Sequence, residues 1–395
     1  EDMRGSLTCL LVIGCGEKPP PPCQAWTLEN ASGPVIEIER PGGPNIDLQA
    51  IIPKTARTEQ GAPTAVFIHG GWRPVQIPLD GESVTLRSDL GFTSLYPNLG
   101  RTDIRGATSR AIIARVLEYA NGDITDTEGC TLDERIPEGR GEEIVLAGFS
   151  NGGNLAWATA SDENLTIPRL DGIATFETPI SSQIILGETG TQAKTNPRFE
   201  IENCTFEIDA VLDCEIDYSP LLSDSADHCD GEADCLFIDI DDSYDRSEAD
   251  FQLGSIILED EDAIVFSTHA TKAAEQLGIL PENAYSSNIT DDFWSVREAP
   301  RMVENAILNF PELAGIATGT ETDHVLDDLP RAIHVLAMVQ AMEQNGMRWA
   351  RLHPDAKFLD EIHGNYAQWA DIPANIGVNL NDNEWGMEPE DDATV

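Results

Sequence analysis

Apolar positions along the chain follow two alternating periods. Val35-Ile-Glu-Ile38 alternates apolar with polar, while Ile46–Ile52, Thr64–Ile68, Gly91–Tyr96, Ile144–Ala147 and Asp171–Glu177 are short runs of strand type. Between them the spacing lengthens. Ile112, Ile113, Val116 and Leu117 mark one face of a helix expected over 107–120, and Asn154–Ala160 reads as another. Strands alternating with helices predict an α/β fold. The rhythm lapses after residue 180 and resumes at Ala263, where Ile-Val-Phe-Ser-Thr leads into a helix expected over 270–277. An apolar run from Leu313, a helix over 329–345 and a last strand over 347–352 complete it. The organisation expected is a core domain of 24–180 and 262–380, an insertion of 181–261, a leader and Pro-rich tether of 1–23, and an acidic tail of 381–395. No internal repeat is evident.

One junction carries chemistry. The run Ile144–Ala147 ends in Gly148-Phe-Ser-Asn-Gly152, a G-x-S-x-G pattern with Ser150 at its centre and helical sequence after it. A strand turning sharply into a helix holds a serine hydroxyl up for attack, and the two glycines let backbone segments approach where a Cβ would collide. The alternative, a Gly-rich structural turn, does not require an apolar strand before it and a helix after it. A second strand, Thr64–Ile68, ends in His69-Gly70-Gly71-Trp72, the kind of loop that donates a backbone N–H to an oxyanion. The expected donors are Asn151, which follows the serine, and Gly71 or Trp72.

With these two motifs the chain resembles the α/β-hydrolase superfamily over about residues 45–180 and 262–370, without placement in a subfamily. The resemblance implies an α/β-hydrolase fold, a mostly parallel central sheet with helices on both faces, and a triad in chain order Ser, acid, His. For the acid it implies the turn after the next-to-last strand, Gly319-Thr-Glu-Thr-Asp323, hence Asp323, with Glu321 the weaker candidate. Asp323 alternatively caps the helix that follows. For the base it implies a histidine shortly after the last strand. The family spacing falls on Phe358, which cannot move a proton; His363 lies five residues later and His353 at the end of the strand itself, so His363 is preferred and His353 is the alternative.

Composition narrows the partners. The 395 residues carry 70 acidic and 24 basic side chains, a formal charge of −46, so a phosphate backbone would be repelled and nucleic acid is not an expected partner. With only five lysines, such a surface fits salty water, where screening limits self-repulsion. Met3–Cys15 contains one positive charge, a short apolar stretch and Val12-Ile-Gly-Cys15, which resembles a bacterial lipobox. The expectation is a secreted, periplasmic or outer-surface lipoprotein of a bacterium from a saline environment, tethered to a membrane through a lipidated Cys15; a hydrophobic first strand is the alternative. Six further cysteines fit an oxidising compartment. Short loops suggest Cys204–Cys214 and Cys229–Cys235, leaving Cys23–Cys130 to anchor the N-terminal segment. Zinc is the rival reading, but C-x-x-C spacing is lacking.

The insertion is the most unusual stretch: residues 201–262 hold 21 Asp or Glu and one basic residue, Arg246. Within it Asp239, Asp241, Ser243, Asp245 and Asp250 fall at the ligand positions of an EF-hand calcium loop, although Tyr244 stands where that loop has Gly and Asp250 where it has Glu. A structural calcium ion is one expectation there and a solvated acidic loop the other. No cofactor is expected for catalysis. Taken together, the residues predict a serine hydrolase, a carboxylesterase acting on neutral small-molecule or polymeric esters, with Trp72, Glu177 and Trp294 near its pocket. The rivals are a peptidase or amidase on the same scaffold and a non-catalytic, calcium-dependent surface binding protein.

Overall fold

The computed structural model describes residues 23–26, 35–53, 61–70, 93–97, 103, 105–136, 140–179, 188, 190–191, 194–200, 203–206, 212–229, 233–244, 246–258, 261–318 and 333–353. Eight strands form the central sheet: β1 (Val35–Ile38), β2 (Ile46–Ile51), β3 (Ala62–Ile68), β4 (Thr93–Pro97), β5 (Arg140–Phe149), β6 (Gly172–Phe176), β7 (Ala314–Thr318) and β8 (Trp349–His353). Their order is β1-β2-β4-β3-β5-β6-β7-β8. From β4 through β8 every neighbouring pair is parallel, and only β2 is reversed, antiparallel to β1 on one side and to β4 on the other. This is the mostly parallel α/β-hydrolase architecture that the motifs implied.

Residue choice follows strand position. At the sheet edge, β1 alternates exposed and buried side chains, with Ile36 and Ile38 inward. Inside the sheet, β4 is buried at every position and β3 at all but Phe67, which is why they read as continuous apolar runs. The helices α1 (Ala107–Asn121), α2 (Asn151–Ser161), α3 (Thr268–Leu277), α4 (Ser287–Ser295), α5 (Ala299–Asn309) and α6 (Ile333–Gln344) lie close to the spans expected from periodicity where an expectation existed. Four of them form a row, α1 against α2, α2 against α5 and α5 against α6. Helix α2 is buried from Asn151 through Ala160, Trp157 included, so it is a core helix rather than an amphipathic one. None of the described helices is long and apolar enough to cross a membrane.

The strand at Ala263 forms, but not in the central sheet. Ala263–Val265 pairs antiparallel with Ile256–Leu258 in a separate two-stranded ladder, and the central sheet resumes only at β7. A three-residue apolar run does not specify which sheet receives it. Around it the inserted chain builds its own apolar interior. Leu221, Leu236, Ile238, Phe251, Leu253, Ile264 and Phe266 cluster with α3, and Val265 and Ile256 pack with Phe293 and Trp294 of α4. Glu188 is sealed within this part: it accepts hydrogen bonds from the Ser267 hydroxyl and, at 3.3 Å, from the Tyr218 hydroxyl. Burial pushes its carboxyl up to about 8, and those two bonds only partly offset the shift.

Disulfides join Cys23 to Cys130 and Cys229 to Cys235. Cys214 is also disulfide-bonded, and the residue facing it across its short ladder is Cys204. The first bridge is reinforced by Arg135, which donates to the buried Asp126 at 2.7 Å and to the Gln24 carbonyl at 3.3 Å and carries the Trp26 ring over its guanidinium. The segment at Cys23–Trp26 is therefore fastened to the loop before β5 by a covalent bond, hydrogen bonds to and from Arg135 and an aromatic contact.

Candidate active site

Strand β5 stops at Phe149, and α2 begins at Asn151. Ser150 makes the corner alone, at φ 53° and ψ −124°, a conformation that a non-glycine residue holds only where its surroundings enforce it. The enforcement is visible. The Ser150 N–H donates to the Phe176 carbonyl at the end of β6, at 2.8 Å, and its own carbonyl accepts from Gly153 N–H at 3.0 Å. A Cβ on Gly148 would stand 2.5 Å from the Gly152 carbonyl carbon, and one on Gly152 would run into the Ile68 carbonyl and come within 2.7 Å of that of His69. The corner closes only with glycine on both sides, as the G-x-S-x-G pattern requires.

Two further contacts fix the helix behind the corner. Asn154 is wholly buried; its amide donates to the Pro179 carbonyl and its Oδ1 accepts from the Ala299 N–H at 2.9 Å. Beside the serine, His69 and Gly70 end the neighbouring strand β3. A Cβ on Gly70 would lie 2.8 Å from the Ser150 Cβ, so the His69-Gly70 loop lies directly against the nucleophile candidate. His69 is buried, with Nδ1 2.8 Å from the Gly70 carbonyl, which makes Nδ1 the donor.

The structure thus brings together Ser150, Asn151 and the His69-Gly70 end of the oxyanion loop. Gly71 and Trp72, the acid candidates Asp323 and Glu321, and His363 lie outside the described residues. His353 is the last residue of β8, in register with Thr318 at the end of β7. Glu177, expected near the pocket, is buried just past the end of β6 and takes a left-handed φ of 46°. Trp294 is buried in the inserted part, where its indole N–H donates to the Phe266 carbonyl at 3.0 Å. A cleft of about 730 Å³ opens elsewhere, among Arg198, Glu200, Tyr218 and His269, and no residue of the corner lines it.

Of the calcium-loop residues, Asp239, Asp241 and Asp250 do converge, with one carboxylate oxygen from each within 4.8 Å of the others. Tyr244 takes φ 61°, the left-handed conformation that the EF-hand loop assigns to its glycine. These carboxylates already have donors: Asp239 accepts from Tyr244 N–H at 2.8 Å, Asp250 from Ile240 N–H at 2.9 Å, and Asp241 from the Ser247 hydroxyl at 3.0 Å. Ser243 contributes its N–H to Asp241, and Asp245 lies outside the described residues.

Sequence reasoning missed Asn154, whose polar side chain gave no sign of being a clamp, and the aromatic pair Phe149 and Phe176. Both rings lie in apolar strand runs and read as core.

No family model matches the sequence, and no curated protein is similar to it in sequence. Solved structures similar to it include brefeldin A esterase, described as a bacterial homologue of human hormone-sensitive lipase (13% identity, 90% of this chain and 79% of that chain, TM-score 0.42). Carboxyl esterase 2 of the mycorrhizal fungus Tuber melanosporum is another (10%, 90% and 90%, TM-score 0.41), as is an esterase of Rhizomucor miehei (13%, 88% and 84%, TM-score 0.38). At such identities and scores these likenesses carry no argument about the reaction. What identifies the architecture is the sheet order together with a serine standing alone at the strand–helix corner, which makes this an α/β-hydrolase fold.

Proposed function

We propose that the protein is a serine hydrolase cleaving neutral carboxylic esters through an acyl-enzyme on Ser150. The conformation of Ser150 carries this reading. A serine held at φ 53° between two glycines that cannot bear a Cβ is strained for a purpose other than packing. The N-terminus of α2 begins at the next residue, so the positive end of its dipole lies where negative charge would build up during acyl transfer. In the reaction proposed, the Ser150 hydroxyl attacks the ester carbon while a histidine takes its proton. The Asn151 N–H and one from Gly71 or Trp72 hold the oxyanion. The histidine then protonates the leaving alcohol, and water activated by the same base releases the acid. His363 is the proposed base, with His353 the alternative, and Asp323 the proposed orienting acid. Nucleophile, base and donors are all protein groups, so the chemistry uses no cofactor.

Ser150→Ala is expected to remove p-nitrophenyl ester turnover by about 1,000-fold or more and to abolish labelling by a fluorophosphonate, with an unchanged circular-dichroism spectrum. A variant that keeps wild-type turnover refutes the assignment. His363→Ala and His353→Ala, assayed alongside, identify the base.

A further inference from the structure

Residues 201–262 hold one lysine or arginine against 21 carboxylates, and that residue, Arg246, is placed on a sulfur. Its Nη1 donates to Cys235 Sγ at 3.4 Å, and its guanidinium lies over the Phe237 ring. The two sulfurs of the Cys229–Cys235 bridge are unlike one another. Cys235 is 2% exposed and opens the strand Cys235–Ile238, whereas Cys229 is half-buried at the end of the turn Ala226–His228. The carboxylate that faces Cys235 in register, Asp224, is engaged by the Ser225 N–H at 2.8 Å and by His228 Nδ1 at 3.0 Å. The Cys23–Cys130 bridge has the opposite surroundings. Cys130 is 3% exposed, and Cys23 Sγ lies 3.8 Å from the Glu134 carboxylate.

We propose that Cys229–Cys235 is a thiol–disulfide exchange site, opened by a neutral dithiol that attacks Cys229 while Arg246 holds the departing Cys235 sulfur as a thiolate. The attacking thiolate forms a bond to Cys229 Sγ as the Cys229–Cys235 bond breaks, and the electron pair leaves on Cys235 Sγ. A guanidinium beside that sulfur stabilises the negative charge and makes it the better leaving group. The second thiol of the reagent then displaces Cys229, which takes one proton, while the other goes to solvent. The reagent is oxidised to a cyclic disulfide and the protein gains two electrons. At Cys23 an incoming thiolate meets the Glu134 carboxylate instead, so that bridge resists the same reagent. The site opens without dismantling the ladder, because Leu236, Phe237 and Ile238 are buried and stay paired with 221–223. The charge of −46 disfavours anionic thiols, which leaves neutral dithiols as the class that fits. The inference is independent of Ser150.

The test exposes the folded, full-length chain to limiting dithiothreitol, traps thiols with iodoacetamide and locates the labelled cysteines by peptide mass mapping. Cys229 and Cys235 are expected to be labelled about tenfold faster than Cys23 and Cys130. Arg246→Gln should slow the opening at least about threefold, and Arg246→Lys, which keeps the charge, should slow it less. The direction is what discriminates: if Arg246 merely braces its loop, Arg246→Gln loosens the loop and the bridge opens faster. Brief treatment with 2-mercaptoethanol should leave its mixed disulfide on Cys229. Labelling of Cys23 and Cys130 together with or before the other pair overturns the proposal. So does a mixed disulfide on Cys235, or an Arg246→Gln variant reduced as fast as wild type or faster. Thermal melts confirm that the variants are folded, and the order of labelling in wild type decides even if Arg246→Gln is not.

Discussion

The central sheet and the chain inserted before β7 reach stability by different routes. Parallel strands such as β3 and β4 are runs of buried, mainly apolar side chains, and their cohesion is buried area. The inserted chain uses ladders of two to four residues that pair antiparallel with near neighbours, a six-residue disulfide loop and two small apolar clusters. Its 21 acidic residues over 201–262 do not prevent folding, because Leu221, Cys235–Ile238 and Phe251 still point inward. Charge there defines the surface, while a handful of apolar side chains defines the interior. A dense acidic composition is therefore compatible with an ordered core, provided the apolar residues keep a common face.

Substitutions in the two regions should separate these routes. The largest effect on turnover is expected from Gly152→Ala. Its methyl would collide with the backbone carbonyl of Ile68, which cannot move without shifting β3. Stability should fall by about 3 kcal/mol and ester turnover by about 100-fold or more, measured by denaturant melts and p-nitrophenyl acetate hydrolysis. Near-wild-type behaviour would show that the corner is looser than its packing implies.

Next comes the Cys23–Cys130 bridge, which closes a loop of 107 residues. Its removal by paired Cys→Ser changes should cost about 4–5 kcal/mol, against about 2 kcal/mol for the short Cys229–Cys235 loop, if chain entropy dominates. Equal losses from the two would show that native contacts, such as that of Arg135, outweigh the loop term.

Glu188 tests the interior of the inserted part. Its folded value near 8 lies above the value of about 4.5 for an exposed carboxyl, so between those limits the folded state holds a proton that the unfolded state releases. The contribution of Glu188 to stability is thus full below about pH 4.5 and lost as pH rises toward 8. Glu188→Gln should melt higher than wild type at pH 8, by a few kcal/mol at most, and the gap should narrow toward pH 5. A gap independent of pH would mean that Glu188 is ionised in the folded protein.

Much of the core was legible in the sequence because parallel strands are buried on both faces and leave continuous apolar runs. The elbow was legible for a steric reason: glycine at 148 and 152 is the trace of a collision avoided. The inserted ladders were not, since a strand of three residues, such as Ala263–Val265, carries no period by which to choose its partner. Nor was the environment of Phe149. An apolar residue in an apolar run reads as buried, and only the register, which places it at the last position of β5 opposite Phe176, brings its ring out beside the serine. Asn154 was opaque in the opposite sense, because a polar residue on a short helix reads as solvent-facing unless its two hydrogen-bond partners are known.

Those two partners have a consequence for how the molecule is assembled. Pro179 is where the chain leaves the sheet after β6, and Ala299 is where it returns as α5; both hang from the amide of Asn154. Exit and return therefore meet at one hook, on the very helix that the serine begins. The chain between them leaves and rejoins the sheet at one side chain, so a single amide sets where both of its ends are fixed.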